Sequence, residues 1–152
     1  MEEALIKRVL PHSVEAEQSV IGAMLMDREA IMQASEIITG DDFYQHQYGI
    51  VFEAIVELYN DGKPVDLITL QNILREKDVP PEISSLEFVK DLLTSALTST
   101  NVEAYAQIVY EKAILRKLIK VNEETANACY LQNQPLEEIL EDAQKQVFAL
   151  AE

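Results

Sequence analysis

From Thr100 to Gln134 the chain runs without a glycine or a proline, and no other stretch restricts the possible folds so strongly. Val102, Ala106, Val109, Ala113, Ile114, Leu118, Val121 and Ala128 keep apolar side chains at helical spacing along it. Thr100, with Glu103 three residues on, forms a capping box that would open the helix. Pro135 ends the run and suits the first position of a second helix. That helix carries Leu136, Leu140, Ala143, Val147 and Leu150 at steps of four, three, four and three, a seam that asks for a partner helix. The expectation is an antiparallel helical hairpin over residues 100–152. Its apolar surface is too small to offset the backbone entropy of ordering it, so it must lean on the rest of the chain or on a second copy.

The preceding residues read as short helices, and no strand pattern interrupts them. Ser13 caps a first helix with Glu15 and Glu17 near its positive end, burying Val14, Ile21 and Leu25. Gly22 within it implies a closely crossing neighbour. Asp27 caps a second helix with Ala30, Ile31, Ala34, Ile37 and Ile38 inward, stopped at Gly40. Either Asp41 or Asp42 would cap a third, whose stripe is Tyr48, Val51, Phe52, Ile55 and Tyr59. Pro64 and Asp66 start a fourth, with Leu67, Leu70, Ile73 and Leu74. Ser84 and Glu87 form a capping box for a fifth after the loop Asp78–Pro81. The fold class is therefore all-α: a flexible tail over 1–10, a compact bundle of short helices over 11–99, then the long hairpin.

Charge narrows the function. Twenty-seven acids against twelve bases give a formal charge of −15, which repels phosphate backbones and argues against tight DNA binding by this chain alone. One cysteine, Cys129, permits no internal disulfide, as in a reducing cytosol. No signal peptide and no run approaching the ~18 residues of a membrane span are found, so a cytoplasmic location is expected. Nor is there a glycine-rich phosphate loop, and His12 and His46 lack partners at metal spacing. Catalytic, cofactor and metal residues are thus all expected to be absent. Asp41 and Asp42 could form a hydrolytic carboxylate pair, but adjacent acids at a helix start are normally caps. One basic stripe stands out, Lys112, Arg116 and Lys120 with Lys117 beside them, beside the outer apolar residues Leu115, Leu118 and Ile119.

The run from Pro11-His12-Ser13-Val14-Glu15-Ala16-Glu17-Gln18 to Ile21-Gly22-Ala23-Met24-Leu25 resembles the opening signature of the DnaB-type replicative DNA helicase family. Asp41-Asp42-Phe43-Tyr44, Gly62-Lys63-Pro64-Val65-Asp66-Leu67-Ile68-Thr69-Leu70, Asn101 to Arg116 and Ala143 to Glu152 agree with it in order. Between Val79 and Glu87 the chain departs, with Pro80-Pro81 and Ser84-Ser85 where the family usually has paired glycines.

The resemblance implies the amino-terminal domain alone, followed in the parent by a linker and a RecA-like motor using ATP and Mg2+. It implies a non-catalytic collar of a hexameric ring, a trimer of dimers paired through hairpins. It also implies docking of the primase carboxy-terminal domain and, in some lineages, of a helicase loader. Leu115, Leu118 and Ile119 are the candidate subunit interface; Phe88, Arg116, Ile119 and Lys120 are the candidate primase surface. A free-standing helical adaptor of the same shape is the alternative, separated from the first reading by a Gly-Lys-Ser/Thr loop encoded downstream of Glu152.

Overall fold

The computed structural model describes residues 8–94 and 101–152, and all regular structure among them is helical. The helices are α1 (Val14–Met26), α2 (Arg28–Ser35), α3 (His46–Asn60), α4 (Leu67–Glu76), α5 (Leu86–Thr94), α6 (Val102–Leu131) and α7 (Leu136–Ala151), with a 3-10 turn at Gly40–Asp42. Their starts follow local capping chemistry. Ser13 Oγ accepts from Ala16 N at 3.1 Å, and Asp27 Oδ1 accepts from Glu29 N at 3.0 Å. Asp66 and Thr69 bond reciprocally, carboxylate to Thr69 N at 2.8 Å and hydroxyl to Asp66 N at 3.0 Å. Thr100, expected to cap α6, lies outside the described residues.

Several boundaries differ from those expected. α2 stops at Ser35 rather than running to Gly40. Ser35 Oγ takes the Met32 carbonyl at 3.0 Å, and the amides of Ile37 and Ile38 both turn to the Ala34 carbonyl. The β-branched run Ile37-Ile38-Thr39 then leaves the helix, although Ile38 remains buried. Ser85, not Ser84, caps α5: its Oγ accepts from Phe88 N at 3.2 Å, while the Ser84 hydroxyl donates to the Pro81 carbonyl. Pro135 occupies the N-cap of α7 rather than its first turn, one residue from the expected place.

The chain divides into two compact units. One comprises His12–Glu111; in the other, Lys112–Glu152 is joined by residues 8–11. In the first unit α1 packs on α2, α3 and α5, and α3 packs on α1, α2, α4 and the 3-10 turn. Val20, Ile21, Ile31, Phe52, Ile55 and Leu74 form its densest part. Val102, Ala106 and Val109 on the first turns of α6 are buried in the same core. Arg28 clamps the end of α3, donating to the Lys63 carbonyl at 3.0 Å with its guanidinium 4.8 Å from the centre of the Tyr59 ring.

In the second unit α6 and α7 form the hairpin, turning through Gln132, which adopts φ 52°, the left-handed conformation usual just past a helix end. The partner helix that the seam of α7 asks for is not α6. The seam Leu136, Leu140 and Val147 does not close the hairpin; these residues stand out into solvent, at 66%, 61% and 44% exposure. Ile139 is the buried side chain, and with Ala143 and Gln146 it lines a small cleft with Thr125 and Ala128 of α6. The leucine stripe falls about 80° further round α7.

Candidate interaction surfaces

The signature over residues 12–18 builds a junction. Glu17, 1% exposed, accepts from Tyr44 N at 2.8 Å and Gln45 N at 3.0 Å. Its carboxylate thereby holds the two amides leading into α3, a helix whose N-cap, Gln45, makes no side-chain cap bond. Neither Asp41 nor Asp42 caps α3, contrary to expectation. Asp42 is buried and accepts from Thr39 N at 2.9 Å, folding back on the 3-10 turn. His12 stacks on Tyr44, ring centres 4.0 Å apart and planes 12° from parallel. Gln18 donates to the Tyr48 hydroxyl at 2.8 Å. The polar residues of this signature are thus architectural. Local pattern marks Glu17 only as a favourable charge at its own helix start.

A second close approach leaves no mark in the hydrophobic pattern. A side chain at Gly49 would run into the carbonyl oxygen of Gly40, so α3 and the 3-10 turn meet backbone to backbone. Gly40 N also donates to Glu53 Oε1 at 2.6 Å.

The docking candidates fall on both units. Phe88 is half-buried against the head core, 6.1 Å from Tyr48 between ring centres. Arg116, Ile119 and Lys120 lie on adjacent turns of α6. Arg116 has an internal role as well, donating to the Pro11 carbonyl at 2.7 Å, while Lys120 is exposed. Of the interface candidates, Leu115 is 45% exposed, and Leu118 and Ile119 are half-buried. The apolar surface of the hairpin extends beyond these three. Besides the leucine stripe it includes Tyr130 at 85% and Phe148 at 66% exposure. Phe148 sits one residue off the heptad, which is why spacing alone passes it over. Among the described residues no group of His, Cys, Asp or Glu is arranged to hold a metal ion. No helix among them is long and apolar enough to cross a membrane.

These features define a helical scaffold: a head whose buried polar groups serve its own turns, and a hairpin that presents apolar side chains outward. The chain belongs to the DnaB-like helicase N-terminal domain family, whose pattern residues 9–111 match. It is 35% identical over its whole length to "Replicative DNA helicase DnaC" of Bacillus subtilis (strain 168), and 37% identical over 95% of its length to "Replicative DNA helicase DnaB" of Pasteurella multocida (strain Pm70). It covers 34% and 31% of those proteins, about a third of each. Its fold matches the crystal structure of the N-terminal domain of DnaB helicase from Mycobacterium tuberculosis with a TM-score of 0.86 and 30% identity, over 93% of this chain and 99% of that one. The resemblance read from residues 11–25 and the all-helical class both hold.

Proposed function

We propose that this chain is the non-catalytic assembly and docking domain of a hexameric replicative DNA helicase. In this reading residues 11–99 form the globular head and residues 100–152 the pairing hairpin. Subunits pair through the hairpin to build the ring collar as a trimer of dimers. The collar docks the primase carboxy-terminal domain and, in some lineages, a helicase loader, in the cytoplasm. Unwinding, with its ATP and Mg2+, belongs to a motor domain of the parent protein. The observation that carries the reading is the outward apolar face of the hairpin, in a chain similar over its whole length to a replicative DNA helicase. Leu115, Leu118 and Ile119 supply the α6 side of the subunit contact.

Sedimentation velocity over a concentration series tests the assembly. The parent chain is expected to associate, and Leu118→Asp to yield a folded monomer, because pairing would bury an unpaired carboxylate at a cost of about 3–5 kcal/mol. A parent that is monomeric at high concentration, or a variant that sediments like it, removes the reading.

Phe88 on the head and Arg116, Ile119 and Lys120 on the hairpin are the proposed primase contacts, apolar and charged side chains of the kinds that protein interfaces use. Because Phe88 is only half-buried, Phe88→Ala should cost the fold about 1–2 kcal/mol, less than a fully buried phenylalanine. Affinity for the primase domain should drop by more than about 1 kcal/mol. Calorimetric titration and a melt of the same variant check this; unchanged binding with a large melting shift takes the docking role from Phe88.

A further inference from the structure

Arg116 is offered to a partner in the docking reading, yet it already holds a piece of its own chain. Its Nη1 donates to the Pro11 carbonyl at 2.7 Å, across 105 positions of sequence and within one unit, where residues 8–11 join Lys112–Glu152. The bond is part-buried and charge-assisted, a strong tie for so slight a segment. Val9 and Leu10 are 66% and 41% exposed, so they bury little apolar surface. Arg8 is exposed at φ 49°, a left-handed conformation that is costly for a residue with a side chain. Ordering such residues also costs backbone entropy, which burial here does little to offset. The segment is therefore poised to lift once Arg116 lets go.

Pro11 is not the strongest acceptor that Arg116 could find. A carbonyl is neutral and offers one oxygen, whereas a carboxylate carries charge and can take the guanidinium fork through two. Lys112 and Lys120, four residues to either side, share the face of α6 with Arg116, and residues 112–120 contain no acid. We propose that residues 8–11 are a strap that withholds Arg116, and that an acidic segment of the docking protein displaces it by pairing a carboxylate with Arg116 between the two lysines. This gate rests on the docking reading above; the chemistry that opens it is carboxylate pairing. The affinity of a gated site is its intrinsic affinity reduced by the fraction of chains with the strap lifted.

Two measurements test the gate. Trypsin must take Leu10 and Pro11 into its cleft to cut after Arg8. The initial rate of the product beginning at Val9, followed by mass spectrometry, therefore reports the lifted strap. Arg116→Ala should raise that rate at least about fivefold, and Lys145→Ala, exposed on α7, should not. An unchanged rate in Arg116→Ala means that Arg116 does not hold the strap, and overturns the gate. Calorimetric titration with the primase carboxy-terminal domain then compares the parent with a chain cut from a removable leader to begin at His12, which lacks the Pro11 carbonyl. The shortened chain keeps Ser13 and its cap on α1. It should bind at least about threefold more tightly. In an Arg116→Ala chain the same shortening should change nothing, because the residue that strap and partner share is gone. Binding by both chains should weaken as salt is added, since a carboxylate takes Arg116; binding indifferent to salt overturns the acidic partner. Weaker binding on shortening, or the same gain without Arg116, overturns the gate. Binding by neither chain removes the docking reading and the gate with it, whereas equal binding by both removes the gate alone.

Discussion

Replacing Glu17 with Ala is expected to cost the head about 3–5 kcal/mol, a large share of the about 5–15 kcal/mol that holds a domain folded. The carboxylate is 1% exposed and accepts from two amides, at 2.8 and 3.0 Å. Hydrogen bonds to a charged acceptor contribute about 1.5–3 kcal/mol each, and truncation leaves two amide donors at the junction without their acceptor. Glu17→Gln separates charge from shape. The amide oxygen can still accept from one of the two N–H groups, but its NH2 would face the other, so a loss of about 2 kcal/mol is expected. Urea unfolding followed by circular dichroism measures both variants. If Glu17→Ala loses under about 1 kcal/mol, Tyr44 and Gln45 find water or another acceptor and the junction does not depend on Glu17. Exposed Glu15, on the same turn of α1, is the control; its removal should fall within about 0.5 kcal/mol of the parent.

The contrast between these two glutamates shows what is and is not legible in a sequence. Ser13, Asp27 and Asp66 can be read as caps because each bonds an amide two or three residues away, inside any reading window. Glu17 binds residues 27 and 28 positions on, and nothing in its local pattern distinguishes it from Glu15. The end of α2 escapes for a related reason. Ile37 and Ile38 continue the apolar spacing, yet the Ala34 carbonyl accepts from both of their amides outside the helix. Periodicity reports which residues are buried more faithfully than where a helix stops.

The hairpin is the clearest case at the level of surfaces. Its two helices and the turn between them are readable from the proline-free run and from Pro135. The four-three-four-three seam does mark a face that wants a partner, but spacing does not say which helix supplies it. In the structure Ile139 and the small residues Ala128 and Ala143 close the hairpin, and the leucine stripe is left outward. The assembly proposed above would supply what spacing lacks, a reason for a hairpin to keep an apolar face outward.

Gly49→Ala is the second large effect expected, and its sign runs against helix propensity. Gly49 lies within α3, where exchanging glycine for alanine ordinarily gains about 1 kcal/mol. Here the new methyl would meet the Gly40 carbonyl oxygen, a backbone atom that cannot swing aside as a side chain does. Gly40 is also held, since its amide donates to Glu53 at 2.6 Å and the Phe43 amide donates to its carbonyl at 3.3 Å. Overpacking of this kind costs about 1–3 kcal/mol, and a rigid opposing surface pushes it to the upper end, so a net loss of about 2 kcal/mol is expected. Gly62→Ala is the informative comparison. Gly62 has φ 70° but no neighbouring atom within 4 Å of where a methyl group would stand, so its loss of about 1 kcal/mol would come from backbone strain alone. Combining Gly49→Ala with Glu53→Ala, which frees Gly40 to retreat, should recover part of the first loss; the same Glu53→Ala change should leave the loss from Gly62→Ala unaltered. A Gly49→Ala chain as stable as the parent would show that the 3-10 turn yields at little cost, and that its backbone contact with α3 does not set the position of that helix.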